Sequence, residues 1–475
     1  MRQWLYAGLL SIWSLSASAG DLLPRAIQQA LRLNHIPAEA LSIYMAPAYG
    51  GKPYWVYRAD MPMSPASTMK LVTSYAALEL LGPAYRWRTD LASTAPVKEG
   101  VLQGDLYLKG SGDPKLTVEN IYLMLKALRD QGIQEINGDL ILDRTWFIPP
   151  QEAAFDTTPE LAYNVAPEAM IFNFNAVKVT AQSDNRQVRM KVEPPLSLIH
   201  LENDLMVSSQ ESCANGDSLP RPVMTEMVAG SVNVQFVGKF PAHCTGSRYY
   251  QLIDTSRYIG SFFALTWQSL GGIWQGRVRE APVPAAAHIL YTHYSPDLVN
   301  VIRDVNKFSN NTMARLVYLT LGADQQASLQ TSQNRLLRWL QRKGLSTASF
   351  VVENGSGLSR KEQISAALLG QLLRAAMRSP YASELESSLP IVGIDGTMKN
   401  RLVGHNIAGY AHIKTGTLTG VRAIAGTLTG ADGKKAVIVA MINQPDTEVG
   451  AEVLDAVLTH AWEMIDQSPE CGAPC

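Results

Sequence analysis

The stretch Pro65-Ala66-Ser67-Thr68-Met69-Lys70 runs on through Leu71, Val72, Tyr75, Leu78 and Leu81 to a stop at Gly82-Pro83. Apolar residues at this spacing predict an amphipathic helix starting near Ser67, since side chains three and four apart share a face and a Gly-Pro pair ends the pattern. Ser67 and Lys70 then stand on one face of the helix start, where an amine reaches a hydroxyl. The N–H groups of that helix start add a positive field at the serine. A lysine with its ordinary pKa near 10.4 is neutral only about once in a few thousand at pH 7, so a lysine base needs burial and a neighbouring cation.

Two further strings complete the pattern, Ser309-Asn310-Asn311 and Lys414-Thr415-Gly416-Thr417. Each is weak alone. A Ser-x-x-Lys match is more often a solvated helix face, Ser and Asn favour helix caps, and Lys-Thr-Gly also suits a strand running into a turn. In this order, each on the element it needs, the three describe acyl transfer to a serine from a substrate with a free carboxylate. Ser67 is then the nucleophile and Lys70 its base. Lys414 supplies the neighbouring cation and, with Thr415, holds the substrate carboxylate. Ser309 passes a proton toward the leaving group, and Asn311 holds a substrate amide. Gly416, Thr417 and Leu418 continue the strand edge along the substrate, with the Thr417 N–H and the helix start as oxyanion donors.

Working outward, Leu22 to Leu33 reads as a helix, and Ser42 to Met45 and Tyr54 to Tyr57 as strands around a Gly50-Gly51 turn. Gly104 to Lys109, Val118 to Gln131 and Gly138 to Leu142 form a β-α-β pattern. From about residue 166 to 245, short β-prone runs such as Val177 to Ala181, Val188 to Val192 and Val232 to Val237 alternate with turn residues. Helical periodicity returns at Arg257 to Leu270, Asp297 to Val305, Met313 to Leu321 and Ser332 to Arg342. Strands at Gly409 to Lys414, Arg422 to Thr427 and Ala436 to Ile442 precede a helix from Glu448 to Ile465. The two ends share an α/β texture that the middle lacks, which predicts one discontinuous domain carrying a large insertion.

The 475 residues carry 41 Lys+Arg against 42 Asp+Glu, and 46% are apolar. That balance excludes a disordered or polybasic chain and argues against nucleic-acid binding. Arg2, the apolar run Trp4 to Leu15 and the small residues Ser16-Ala17-Ser18-Ala19 read as a secretory signal over residues 1–19, too short to span a bilayer. The mature chain is expected to be soluble or at most peripheral to a membrane. Export favours disulfides among Cys213, Cys244, Cys471 and Cys475. Cys213 with Cys244 would close a loop in the middle of the chain, whereas the Cys471/Cys475 tail pair could close on itself, stay reduced or bind metal. The eight histidines, His35, His200, His243, His288, His293, His405, His412 and His460, show no metal-binding spacing, so no metal and no cofactor is expected.

On these motifs the chain resembles the serine penicillin-recognising acyltransferases, and within them the low-molecular-mass class C D-alanyl-D-alanine carboxypeptidases/endopeptidases of the penicillin-binding protein 4 type. The separation of Ser67 and Ser309, 309 minus 67 or 242 residues, is far longer than in serine β-lactamases and matches the inserted domains of this group. Gly112-Asp113-Pro114, Asn354-Gly355-Ser356-Gly357-Leu358-Ser359-Arg360 and Asp395-Gly396-Thr397 agree with it. The resemblance implies an α/β (α+β) fold: a discontinuous transpeptidase/β-lactamase-like domain over 20–84 and 291–475, an inserted α/β domain over 85–165 and 246–290, and a nested β-rich domain over 166–245. It implies a periplasmic DD-peptidase whose partners are peptidoglycan stem peptides and β-lactam antibiotics. It also carries Arg360 to a pocket for the polar end of a diaminopimelate side chain. Several relatives have Asp where Asn173 aligns, and a neutral amide binds an amine cation more weakly. Glu353-Asn354 is a second departure, since the family usually shows an Asp before Gly-Ser-Gly. Two competing readings are a β-lactamase, which needs a deacylating water that no Glu-containing string is placed to hold, and a silent peptidoglycan-binding scaffold, which intact Ser67 and Lys70 disfavour.

Overall fold

The computed structural model describes residues 23–466 apart from 151–153, 210–212, 214–218, 228–229, 324–326 and 446–449. The signal segment 1–19 and the pair Cys471/Cys475 lie outside the described residues.

The two ends of the chain meet in one sheet, ordered Trp55–Tyr57, Leu41–Pro47, Lys435–Asn443, Val421–Thr429, Ala411–Leu418. Leu41–Pro47 pairs antiparallel with Lys435–Asn443 from Leu41↔Ile442 to Pro47↔Ala436. Near-continuous apolar runs suit these central strands because both sheet faces are covered. Alternate side chains face opposite ways, so Tyr44, Val437, Val439 and Met441 enter one core and Ile43, Ile438, Ala440 and Ile442 the other. The helices Arg25–Leu33 and Glu452–Asp466 share the second core. The first holds Met69–Leu80, Leu298–Lys307, Asn311–Thr320 and Ala366–Met377.

The helix after Ser67 differs from its expected amphipathic form, since Met69–Leu80 is buried without a break from Met69 to Leu78. Its polar residues find partners inside: Thr73 donates to Gly355 O at 2.6 Å, and Ser74 meets Asn306 at 3.4 Å. A helix enclosed on all sides loses the polar stripe that a surface helix needs.

Chain leaving and re-entering this domain pairs in a second sheet, ordered Val278–Glu280, Leu140–Asp143, Leu106–Gly110, Arg88–Ser93, His288–Tyr294. Leu106–Gly110 and Leu140–Asp143 run parallel across the helix Val118–Asp130, the β-α-β unit read from sequence. The strand His288–Tyr294 belongs to this sheet and carries it past residue 290. The middle of the chain forms two three-stranded sheets, Val188–Glu193/Val177–Ser183/Thr245–Tyr250 and Ile199–Ser208/Val232–Pro241/Val223–Glu226. A disulfide joins Cys213 and Cys244 there. One buried cluster runs from Leu91 and Leu108 to Val179 and Phe236, apart from the two cores of the first domain. The fold is thus a discontinuous transpeptidase-like α/β domain with inserted, β-rich parts. A small cluster of Phe147, Val165, Ile171, Leu316 and Leu319 packs the insert onto the helix Asn311–Thr320.

Candidate active site

Ser67 sits in a 3-10 turn, Ala66–Thr68, that feeds Met69–Leu80. The turn is held by Pro65 O, which accepts from Thr68 N at 3.1 Å and Thr68 Oγ1 at 2.7 Å. Ala66 adopts φ +44, a left-handed conformation costly for a residue with a Cβ. Two glycines press on the turn. A Cβ on Gly416 would stand 2.6 Å from Pro65 O and 3.1 Å from Ser67 N, and one on Gly357 would stand 1.8 Å from Ala66 O and 2.7 Å from Ser67 N. The Ala411–Leu418 strand and the 354–360 loop therefore grip the serine backbone at distances that only glycine permits.

Lys70, one turn on and fully buried, donates from Nζ to Ser67 Oγ at 3.0 Å, Asn311 Oδ1 at 2.6 Å and Ser356 O at 2.5 Å. Lysine has only donors, so the Asn311 atom facing it is the carboxamide oxygen. Burial, then the charge of Lys414, holds the Lys70 amine well below the ordinary lysine range; Glu362 opposes that shift and Arg315 adds to it. Both causes that the sequence reasoning required are therefore present.

Lys414 is also fully buried, and its Nζ donates to Ser309 Oγ at 2.8 Å and Thr415 O at 2.7 Å. Burial lowers its pKa to about 7. Ser309 has φ +57, a second strained non-glycine after Ala66. The helix Asn311–Thr320 is capped by Asn310, whose side chain accepts from Met313 N at 3.0 Å. The two asparagines divide the work, Asn310 as the cap and Asn311 facing Lys70. Behind Ser309, the buried Lys307 donates to both oxygens of Asp395 at 2.8 and 2.6 Å. Thr397 and Thr415 share a hydroxyl hydrogen bond at 2.8 Å. The Asp395-Gly396-Thr397 string thus ties the Ser309 turn to the Lys414 strand.

Of the remaining sequence candidates, Thr417 takes a hydrogen bond from Arg422, and Leu418 pairs with Val421 at the strand end. Thr415, Gly416 and Thr417 border an open pocket of about 300 Å³ with Arg401 and Ala451. Arg360 donates to Thr419 O at 3.0 Å, just past that strand, and its guanidinium lies 4.8 Å from the centre of the Phe155 ring of the insert. Asn173 is elsewhere in its bonding: its amide donates to Tyr258 Oη at 3.2 Å and Ala176 O at 3.3 Å. Among the described residues no hydrogen bond joins Asn173 to Arg360 or Ser67. Sequence reading missed Lys307, the Ser356 carbonyl and Glu362. Lys307 and Glu362 look like surface residues in sequence, and a carbonyl leaves no signal in residue type.

A paired serine and buried lysine, with a second buried lysine on a neighbouring hydroxyl, is machinery for serine acylation. A model of the D-Ala-D-Ala carboxypeptidase 3 (S13) family matches residues 23–463. The chain belongs to this family. As a member it is a serine-type DD-peptidase working through an acyl-enzyme. It is 31% identical over 396 residues to a D-alanyl-D-alanine carboxypeptidase of an Actinomadura species, covering 78% of this chain and 72% of that one. It is 26% identical over 402 residues to the D-alanyl-D-alanine carboxypeptidase DacB of Haemophilus influenzae, covering 82% of each. The solved structure of penicillin binding protein 4 (dacB) from Haemophilus influenzae superposes with a TM-score of 0.77 at 23% identity, over 93% of this chain and 99% of that one. The same protein has been solved with a bound β-lactam.

Proposed function

We propose that Ser67 is the acylated nucleophile, Lys70 its general base, Ser309 the proton relay, Asn311 the substrate-amide ligand and Lys414 the carboxylate anchor of a periplasmic peptidase acting on peptidoglycan stem peptides and cross-links. The observation that carries this reading is the 3.0 Å hydrogen bond between the buried Lys70 amine and Ser67 Oγ. As Ser67 Oγ bonds to the carbonyl carbon of the penultimate D-Ala, its proton passes to Lys70. The carbonyl electrons move onto oxygen, beside the N–H groups of Ser67 and Thr417. Collapse of that oxyanion breaks the C–N bond, and the departing amine takes a proton through Ser309, whose hydroxyl is tied to Lys414. Water then repeats the sequence on the ester.

Thr415 and Thr417, with Gly416 and Leu418 beside them, line the carboxylate end of the substrate. Arg360, above the Phe155 ring, borders the side chain of the third stem residue. For Asn173 the reading is narrower: bonded to Tyr258 and Ala176, it fixes the local backbone of the insert. β-Lactams enter the same cycle because they present an acylating carbonyl and a carboxylate. We place the domain division at 23–84 with 295–466, 85–165 with 246–294, and 166–245, with the break moved from 290 to 294 by the strand His288–Tyr294. The Cys213–Cys244 disulfide and the apolar run Trp4 to Leu15 support export.

The test is labelling with a fluorescent penicillin, followed by mass spectrometry of the tagged peptide. The tag is expected on Ser67 and is expected to vanish in folded Ser67→Ala. Persistent labelling of that folded variant would overturn the assignment.

A further inference from the structure

Glu362 is fully buried, and each partner that its carboxyl meets is a backbone N–H. Oε1 accepts from Glu353 N at 3.0 Å, Asn354 N at 2.9 Å and Gly355 N at 2.8 Å, and Oε2 accepts from Gly357 N at 2.9 Å. Burial, the largest effect, pushes this carboxyl above the ordinary range, against the four N–H donors that pull it down. An all-donor surround fits the carboxylate, because a carboxylic proton has no acceptor to face. The loop closes around it through a bridge between Val351 and Gln363.

The fourth bond has a geometric consequence. The N–H of Gly357 and the C=O of Ser356 belong to one planar peptide group and point to opposite sides. Turning that N–H toward Glu362 turns the carbonyl toward Lys70, whose Nζ it accepts from at 2.5 Å. A neighbouring peptide is oriented in the same sense, with Gly355 O accepting from Thr73 Oγ1 at 2.6 Å. Asn354 fixes the stretch between, as its Oδ1 accepts from Ser356 N at 3.0 Å and Ser356 Oγ at 2.7 Å while its Nδ2 donates to Leu358 O at 3.0 Å. An Asp at 354 lacks that last donor, so the amide suits this position and the negative charge stands at 362 instead.

We propose that Glu362 is a positioning residue for the base Lys70, acting through the Ser356–Gly357 peptide group, which it aims and polarises so that the lysine receives and holds the Ser67 proton. In the step concerned, the Ser67 O–H bond breaks as the Oγ–C bond forms, and the proton adds to the lone pair of Lys70. The resulting ammonium is stabilised by a carbonyl whose N–H end rests on an anion. The charged groups facing Lys70 are Lys414 on the strand, Arg315 on the Asn311–Thr320 helix and Glu362 on the loop, and only the last favours the proton. Tyr318 faces Glu362 and is held neutral by burial and by that charge.

The inference rests on Lys70 being the base, so the experiment includes Lys70→Ala. The second-order acylation rate by a fluorescent penicillin is measured against pH for wild type, Glu362→Gln, Glu362→Asp and Lys70→Ala. Acylation needs neutral Lys70, so the rate rises with pH through its pKa, and removing the Glu362 charge lowers that pKa. The acid limb of Glu362→Gln is expected to move down by roughly one pH unit, the scale of one charge at an effective dielectric near 20. Its plateau is expected to fall at least about tenfold, because the amide turns a donor toward Gly357 N–H. Glu362→Asp keeps the charge and loses reach, so its limb is expected to stay in place while its plateau falls. A merely structural role changes the folded fraction and leaves the limb where it is. A folded Glu362→Gln with the wild-type limb overturns the proposal. If Gln does not fold, a folded Glu362→Asp with the wild-type plateau overturns it instead. Acylation that survives Lys70→Ala brings down the base assignment, whereas a dead Lys70→Ala beside a normal Glu362→Gln brings down only the role of Glu362.

Discussion

Gly357→Ala tests whether the 354–360 loop sets the position of the nucleophile. Gly357 has φ +82, and a Cβ there would lie 1.8 Å from Ala66 O, 2.2 Å from Ala66 C and 2.7 Å from Ser67 N. The left-handed φ alone costs an Ala about 1–2 kcal/mol. The contact costs more: to restore a separation of 3.0 Å, where real contacts begin, the loop and the Ser67 turn must part by over 1 Å. The neighbours offer no slack, because the atoms in the way are backbone and Gly416 presses on the same turn from the other side. A displacement near 1 Å at a reacting group costs about 10²-fold, or about 2.7 kcal/mol of barrier. Gly344→Ala is the control, with φ +71 and no atom within 4 Å of its Cβ. Both variants are expected to melt lower than wild type, and only Gly357→Ala is expected to acylate about a hundredfold more slowly. The assay is a quenched time course of fluorescent-penicillin labelling beside thermal denaturation. A folded Gly357→Ala within about threefold of wild type, less than half of one ~1.4 kcal/mol decade, would mean that the loop does not set the position of Ser67.

The two buried lysines around Ser309, Lys414 and Lys307, can be tested in the same way. Lys414→Ala is expected to slow acylation on every substrate, because it removes the charge that helps keep Lys70 neutral, and to raise KM further only for substrates with a free carboxylate. Equal KM changes on free-acid and amidated substrates would count against the anchor role. The Lys414 pKa of about 7 gives a sign: the ammonium is present below that pH, so wild-type KM for free-acid substrates is expected to rise as pH rises through about 7, by more than for amidated substrates. Asp395→Asn leaves the buried Lys307 without its anion, and because Asp395 itself is one-third exposed the expected loss is about 2 kcal/mol rather than the 3–5 of a fully buried pair. The same variant is expected to slow turnover, since Lys307 is two residues from Ser309; unchanged stability in a chemical melt would refute it.

How far the sequence carries depends on whether a residue's job is written in its type or in its partners. Ser67, Lys70, Ser309, Asn311 and Lys414 were legible because acyl transfer calls for these side chains on a helix start, a turn and a strand. The structure puts Lys70 against Ser67 and Asn311, and Lys414 against Ser309, by hydrogen bonds of 2.6 to 3.0 Å. The β-α-β unit was legible because apolar spacing switches between period two and period 3.6 there. The strand His288–Tyr294 was not, since it pairs with Arg88–Ser93 from the far side of a long insertion, a partnership that no local window contains; Arg88–Ser93, which also pairs with Leu106–Gly110, was missed with it. Glu362 shows the same limit at the site. In Ser359-Arg360-Lys361-Glu362 it reads as one more solvated charge, while Arg360 and Lys361 are indeed exposed and Glu362 is wholly enclosed. What encloses it is backbone, four N–H groups that any sequence supplies, so the signal lies in the loop's shape. That shape in turn needs Gly355 and Gly357 at φ +70 and +82, the two letters in which it is written. The glycines of a motif therefore carry chemistry indirectly: they let a peptide group turn its N–H to a buried anion and its carbonyl to a base.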